Sequence, residues 1–240
     1  GSLVAGGPYV TDMAPLRDGR IVVIGNFTHY RYGGTDHAYN GIIILNQNLS
    51  VDSSFNPSGS EFNDIAYAIE VDEENGHIYL GGKFTIYNGT MTSDQLLRLN
   101  LDGSISVNYS TGSLFPIVIY DLILLPNNRL CIVGSFSTYG NMTCLASTSI
   151  SSIITAFSGS SKFNGPVYSI ERARDGSGDL LLGGNFSTYN GNTAFKMARI
   201  NAVTANFVDG PNTHPQSYIN SLFPSFSQSS MLLAGGVSSN

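Results

Sequence analysis

Four acidic side chains stand where convergent chemistry would be sought first in this 240-residue chain. Asp12, Asp121 and Glu171 each precede a phenylalanine of a recurring motif by 15 residues, and Asp64 precedes its own by 20. Carboxylates gathered from several strands can hold a hard cation through oxygen ligands, or flank a glycosidic bond as acid and base. The unequal offset of Asp64 weakens both readings, and the expectation is hydrogen-bonded or solvated acids at strand ends. Histidines His29, His37, His77 and His214 are dispersed over predicted turns and strand ends. None falls beside a nucleophile in a pattern such as G-x-S-x-G. Asp72-Glu73-Glu74 reads as a solvated turn. No catalytic, cofactor-binding or metal-binding residue is assigned, no cofactor is expected, and the chain is not expected to be an enzyme.

The segment GGNFSTYNG (183–191) resembles a glycine-rich phosphate cradle, but such a cradle leads from a strand into a helix N-terminus. Here the glycines lead into Phe-Ser-Thr-Tyr, a strand-like run. Glycines at that place allow neighbouring strands to approach or a bulge to form. The phrase also recurs. IGNFTHYRYGG, GGKFTIYNG and VGSFSTYGN precede it, placing Phe27, Phe84, Phe136 and Phe186 at intervals of 57, 52 and 50 residues. LLAGGVSSN puts Val237 at the same place after 51 more.

Charged residues make up 12% of the chain, about half the usual share, and 27 glycines help to fill the difference. A net charge of −6 argues against a phosphate-binding face and hence against nucleic acid. No apolar run is long enough to span a bilayer, so membrane insertion is not expected. The start at Gly1-Ser2-Leu3-Val4 reads as part of a longer chain.

Each unit contains several short apolar runs broken by Asp18-Gly19, Asn88-Gly89 or Asp102-Gly103, which tolerate the positive φ of tight hairpins. Ile65-Ala66-Tyr67-Ala68-Ile69 alternates as a half-buried strand does, and Ile21-Val22-Val23-Ile24 suits a strand covered on both faces. The fold class is therefore all-β. A period near 50 with three to four strands points to a β-propeller. The units are roughly 6–57, 58–110, 111–159, 160–209 and a partial 210–240, read as one propeller domain of about five blades. The last blade is incomplete or closed by the N-terminal strand at Leu3-Val4-Ala5.

DGRIVVIGNFT, followed by IIILNQNLSVDSSFNP and by Arg98-Leu99-Asn100-Leu101-Asp102-Gly103-Ser104, resembles the delta-60 repeat of bacterial and bacteriophage propellers. The third unit departs from it, with Ser147-Thr148-Ser149-Ile150 where the R-x-N-x-D-G pattern is due. The resemblance implies a non-enzymatic structural or interaction module. The setting it implies is a bacteriophage virion (tail, fibre or neck) or a secreted bacterial surface protein, with an extracellular or virion-associated location. The alternatives are a carbohydrate-binding, lectin-like propeller and a hydrolase or lyase on the same scaffold. Its partners are expected to be proteins of a larger assembly, or a host-surface receptor or glycan.

Six sequons, at Asn26, Asn48, Asn88, Asn108, Asn141 and Asn185, follow largely from the repeat, so their number is weak support for glycosylation. Asn88 and Asn141 are read as equivalent turn residues. Tyr30, Tyr87, Tyr139 and Tyr189 recur three residues after each motif phenylalanine and are read as architectural. The polar, aromatic insert 31–39 breaks the repeat, and Arg31, Tyr32, Asp36, His37 and Tyr39 are the partner-binding candidates. With a turn centred on Gly140-Asn141, Cys131 and Cys144 do not oppose one another, and free thiols are expected.

Overall fold

The computed structural model describes residues 2–4, 9–55, 62–92, 95–109, 118–126, 128–136, 140–146, 157, 162–211, 217–224 and 231–235. No α-helix occurs among them. The chain forms two compact units, Gly1–Ile119 and Tyr120–Asn240, each described by itself below.

In the first unit, β1 (Ser2–Val4) precedes β2 (Tyr9–Pro15), β3 (Ile21–Asn26), β4 (His29–Tyr32), β5 (Thr35–Ala38) and β6 (Ile42–Leu45). Strands β2, β3 and β6 form an antiparallel sheet, while β4 and β5 form a separate outer hairpin. The second repeat follows the same plan. Strands β7 (Ala66–Asp72), β8 (His77–Gly82), β11 (Leu96–Asn100) and β12 (Ile105–Asn108) form a four-stranded meander, and β9 (Ile86–Tyr87) with β10 (Thr90–Met91) makes its outer hairpin.

In the second unit, β13 (Val118–Leu125), β14 (Arg129–Ser135) and β15 (Met142–Ala146) form a three-stranded sheet. The fourth repeat gives the meander β16 (Val167–Arg172), β17 (Leu180–Gly184), β20 (Met197–Ile200) and β21 (Phe207–Asp209), with β18 (Thr188–Tyr189) and β19 (Asn192–Thr193) as its outer hairpin. Among the described residues, strands β22 (Ile219–Pro224) and β23 (Met231–Gly235) form a two-stranded sheet.

The motif phenylalanine fixes each repeat from within. Phe27, Phe84, Phe136 and Phe186 are at most 1% exposed. In two repeats a second phenylalanine wedges beside the motif. Phe62 lies 4.5 Å from Phe84 and 5.0 Å from Tyr87, and Phe163 lies 4.5 Å from Phe186 and 4.6 Å from Tyr189, ring centre to ring centre. Phe62 and Phe163 also bond to the end of the preceding repeat. The amide of Asn40 donates to the Phe62 carbonyl, and that of Asn141 to the Phe163 carbonyl. The same aromatic cluster thus seals a repeat and ties it to its predecessor.

The paired glycines of the motif serve the sheet, as expected from sequence. The first strands carry a bulge at Val10/Asp12, Ala66/Ala68, Val167/Ser169 and Ile219/Ser221. A Cβ on Gly25, Gly82 or Gly184 would come within 2.8–2.9 Å of the Cα of Val10, Ala66 or Val167. Only glycine lets the bulged strand sit that close.

Two expectations are corrected. Cys131 and Cys144 are disulfide-bonded, directly opposite across β14 and β15, with Cα atoms 4.0 Å apart and no exposure. The expected register failed because the turn after the motif does not close this strand pair. Asn141 donates its N–H to the Phe136 carbonyl and accepts the Gly134 N–H, so the ladder resumes below the outer loop. The same bonding places Asn141 with Gly41 and Lys196, not with Asn88; the counterpart of Asn88 is Asn190, the two sharing a φ of 48°. Strand β1 pairs with β4 of its own repeat, Leu3 opposite Tyr30.

Candidate interaction surfaces

The outer hairpins are the least uniform part of the repeat, yet each is held the same way. The hydroxyls of Tyr30, Tyr87 and Tyr189 donate to the carbonyls of Leu49, Gly103 and Ala205 at 2.8, 2.8 and 2.6 Å. Each acceptor lies at a turn residue of positive φ, and the three tyrosines are at most 4% exposed. Their architectural role is clear; Tyr139 lies outside the described residues, as does Val237. The carboxamide oxygen of Asn63 accepts the N–H groups of Thr85 and Ile86, and that of Asn164 those of Ser187 and Thr188. Asn88-Gly89 and Asn190-Gly191 close two of the hairpins with positive φ at both residues, the tight turn that matches strand twist.

On these fixed supports the exposed rung changes from repeat to repeat. It is Ile86 opposite Met91 in the second, Thr188 opposite Thr193 in the fourth and His29 opposite Ala38 in the first. The first hairpin is longer, adding the rungs Arg31–Asp36 and Tyr32–Thr35 before a Gly33-Gly34 turn. Arg31 grips Asp36 through Nε and Nη2 at 2.6 and 2.8 Å, both side chains exposed. That bond holds the Asp36 carboxyl below the usual carboxylate range. Tyr32 and Tyr39 lean against the buried cluster of Phe27 and Tyr30, and His37 sits opposite Tyr30. Of the five candidates from sequence, Arg31 and Asp36 face solvent as a pair, and the two tyrosines are partly committed to packing.

The acids are not gathered into a site. Asp12 accepts the N–H of Met13 at 2.8 Å and that of Ile69, in the next repeat, at 3.1 Å. Burial outweighs these bonds and pushes its carboxyl up. Asp121 does the same with Leu122 and Ile170, both at 2.8 Å. The equivalent residue of the fourth repeat is Ser169, not Glu171, because the turn at Asp175–Gly178 is longer there; its hydroxyl accepts the Leu222 N–H at 3.2 Å. Asp64 instead pairs with Lys83 at 3.4 Å. Among the described residues no three His, Cys, Asp or Glu side chains stand together as a metal site would require.

Sequence reading missed a row of tyrosines on the first strands. Tyr120, Tyr168 and Tyr218, all half-buried, meet edge to face with ring centres 5.1 and 5.7 Å apart. Burial, then its two neighbours, raises the Tyr168 phenol. In the first unit Tyr67 is raised by burial and then by Tyr9, which is 45% exposed. Each repeat thus carries one tyrosine on its first strand or, for Tyr218, immediately before it, in PYVTD, IAYAI, VIYDL, PVYSI and SYINS. The signal lay in segments read only for their hydrophobicity.

A family model described as "Domain of unknown function (DUF5122) beta-propeller" matches residues 16–55, 73–105 and 176–203, within the first, second and fourth repeats. Comparison with curated proteins found no match. Among solved structures, the extracellular domain of BT4673 from B. thetaiotaomicron is similar at a TM-score of 0.55 and 16% identity, over 92% of this chain and 24% of that one. A second structure of that domain gives 0.51 and 15%, over 92% and 30%. A chain of the mitotic checkpoint complex gives 0.53 and 14%, over 90% and 54%. The chain therefore spans from about a quarter to about half of these proteins, and the likeness is one of fold. Repeated antiparallel meanders, the family match and these structures agree on an all-β chain of the β-propeller class.

Proposed function

We propose that the chain is a non-enzymatic interaction module of an extracellular particle or surface, such as a bacteriophage virion or a secreted bacterial protein. Its partner-facing element is the outer hairpin of residues 29–38. The observation that carries this reading is the contrast between invariant supports and variable rungs. Buried tyrosines hold the three hairpins alike and asparagine clamps hold two of them, while the pairs on the outer rung differ and the first hairpin is extended. Rigid frames carrying variable loops are the usual architecture of recognition. The non-catalytic part rests on the carboxylates of Asp12 and Asp121, which are spent on backbone N–H groups. The extracellular part rests on the buried Cys131–Cys144 bond, since disulfides persist in oxidising compartments. A fold shared with an extracellular domain agrees with it.

The test is a photo-crosslinking residue placed at Thr35, at the hairpin tip, and separately at Ser177, in a turn of the fourth repeat. Illumination of the native particle or cell surface should give a defined adduct from position 35 alone. Equal adducts from both positions, or none from 35, would overturn the assignment.

A further inference from the structure

We propose that Tyr120, Tyr168 and Tyr218 of the second unit, with Tyr168 at the centre, form a stacking track for a neutral oligosaccharide. The row is not a by-product of repetition. Tyr120 and Tyr168 immediately precede the residues Asp121 and Ser169 that bond to the following repeat, whereas Tyr218 lies three residues before Ser221. It reaches the Tyr168 ring from a different register. The first unit repeats this device, with Tyr67 immediately before Ala68 and Tyr9 three residues before Asp12. A tyrosine drawn from a non-equivalent position into the same row is what a selected surface produces.

The chemistry of the row suits sugar. Edge-to-face packing fixes the rings, and their partial exposure leaves apolar surface and a phenolic hydroxyl for a ligand that is apolar on its faces and polar at its edges. Asp121 accepts two backbone N–H groups and Ser169 a third, while exposed Asn220 and Ser221 supply neutral hydrogen-bonding groups. The chain carries a net charge of −6, which disfavours an anionic ligand.

The chain contains no tryptophan, so its emission comes from 13 tyrosines, and loss of an emission change in Tyr168→Ala assigns that change to the row. The full chain is titrated with cellohexaose, chitohexaose, laminarihexaose and mannohexaose, and with a proline decapeptide as the competing class, by emission and calorimetry. Saturable binding of at least one hexasaccharide with altered tyrosine emission is expected. Tyr168→Ala should weaken it by about tenfold or more, the loss of one well-packed aromatic contact. Tyr168→Phe, which keeps the ring, should stay within about threefold, and thermal melting confirms that both variants fold. The proposal is overturned if no hexasaccharide binds, if Tyr168→Ala binds like the parent, or if the proline peptide is what binds. It goes beyond the non-enzymatic reading, and the two fail differently. A hexasaccharide shortened during incubation would sink that reading and leave the track standing, whereas absent binding sinks the track alone.

Discussion

The carboxylate of Asp121 accepts the backbone N–H of Ile170 at 2.8 Å, reaching from the first strand of one repeat to the first strand of the next. Asp12 and Ile69 stand in the same relation, as do the Ser169 hydroxyl and Leu222. An N–H left without that acceptor costs its desolvation, about 1–3 kcal/mol. Asp121→Ala should therefore lower stability by roughly that amount in urea denaturation, while Asp121→Asn, which keeps a carbonyl oxygen, should recover most of it. Equal losses for the two would show that the acceptor is not what matters.

The tyrosine supports of the outer hairpins give a second expectation. Tyr87→Phe and Tyr189→Phe each remove one buried hydroxyl bonded to a turn carbonyl. Each should cost about 1 kcal/mol, within the usual range for one such bond. The readout is the denaturation midpoint, with faster amide exchange at Gly89 or Gly191 marking a loosened hairpin.

Removing the disulfide by Cys131→Ala with Cys144→Ala should cost roughly 2–4 kcal/mol, the usual effect of a short closed loop. Both sulfurs are buried, so a reductant should act on the unfolded chain far faster than on the folded one. Thiol titration of the folded and urea-unfolded protein checks this.

Acid should act through the turn of the fourth repeat. Bonds from the Ser177 hydroxyl and N–H, aided by Arg199, hold the Asp175 carboxyl down to about 2 from an ordinary 3.8. A depressed carboxyl contributes stability that is complete above its unfolded value and disappears as pH falls through its folded value. That loss belongs between about pH 4 and 2, and Asp175→Asn should remove it from the stability profile. Asp12 has the opposite sign. Its carboxyl is raised by burial, so its contribution is complete below 3.8 and fades as pH rises through the folded value.

Arg31→Ala with Asp36→Ala should leave the melting temperature unchanged, because the pair is exposed. The same double substitution should abolish the crosslink from position 35 if the hairpin carries the partner contact.

The repeat, the all-β class and the structural role of the motif glycines were legible in the sequence because each is written several times over. A phenylalanine copied at near-constant spacing leaves few alternatives to a core position. What escaped was pairing across a distance. The turn that seemed to close β14 onto β15 closes only an outer loop, and no local pattern distinguishes those two choices. The acids misled for a related reason. Their spacing suggested a site, but the partner of Asp12 is a main-chain N–H 57 residues away, invisible to any reading of side-chain types. The row of tyrosines was hidden within apolar strands, where an aromatic passes for core.

The bond between Cys131 and Cys144 joins strands that are already neighbours, so it says little about the path of the chain and much about alignment. A slip of one residue would turn every side chain of β15 to the opposite face and carry the two sulfurs apart. Oxidation therefore works as a proofreading step, a covalent record that this hairpin closed with Leu130 opposite Leu145 and Ile132 opposite Thr143.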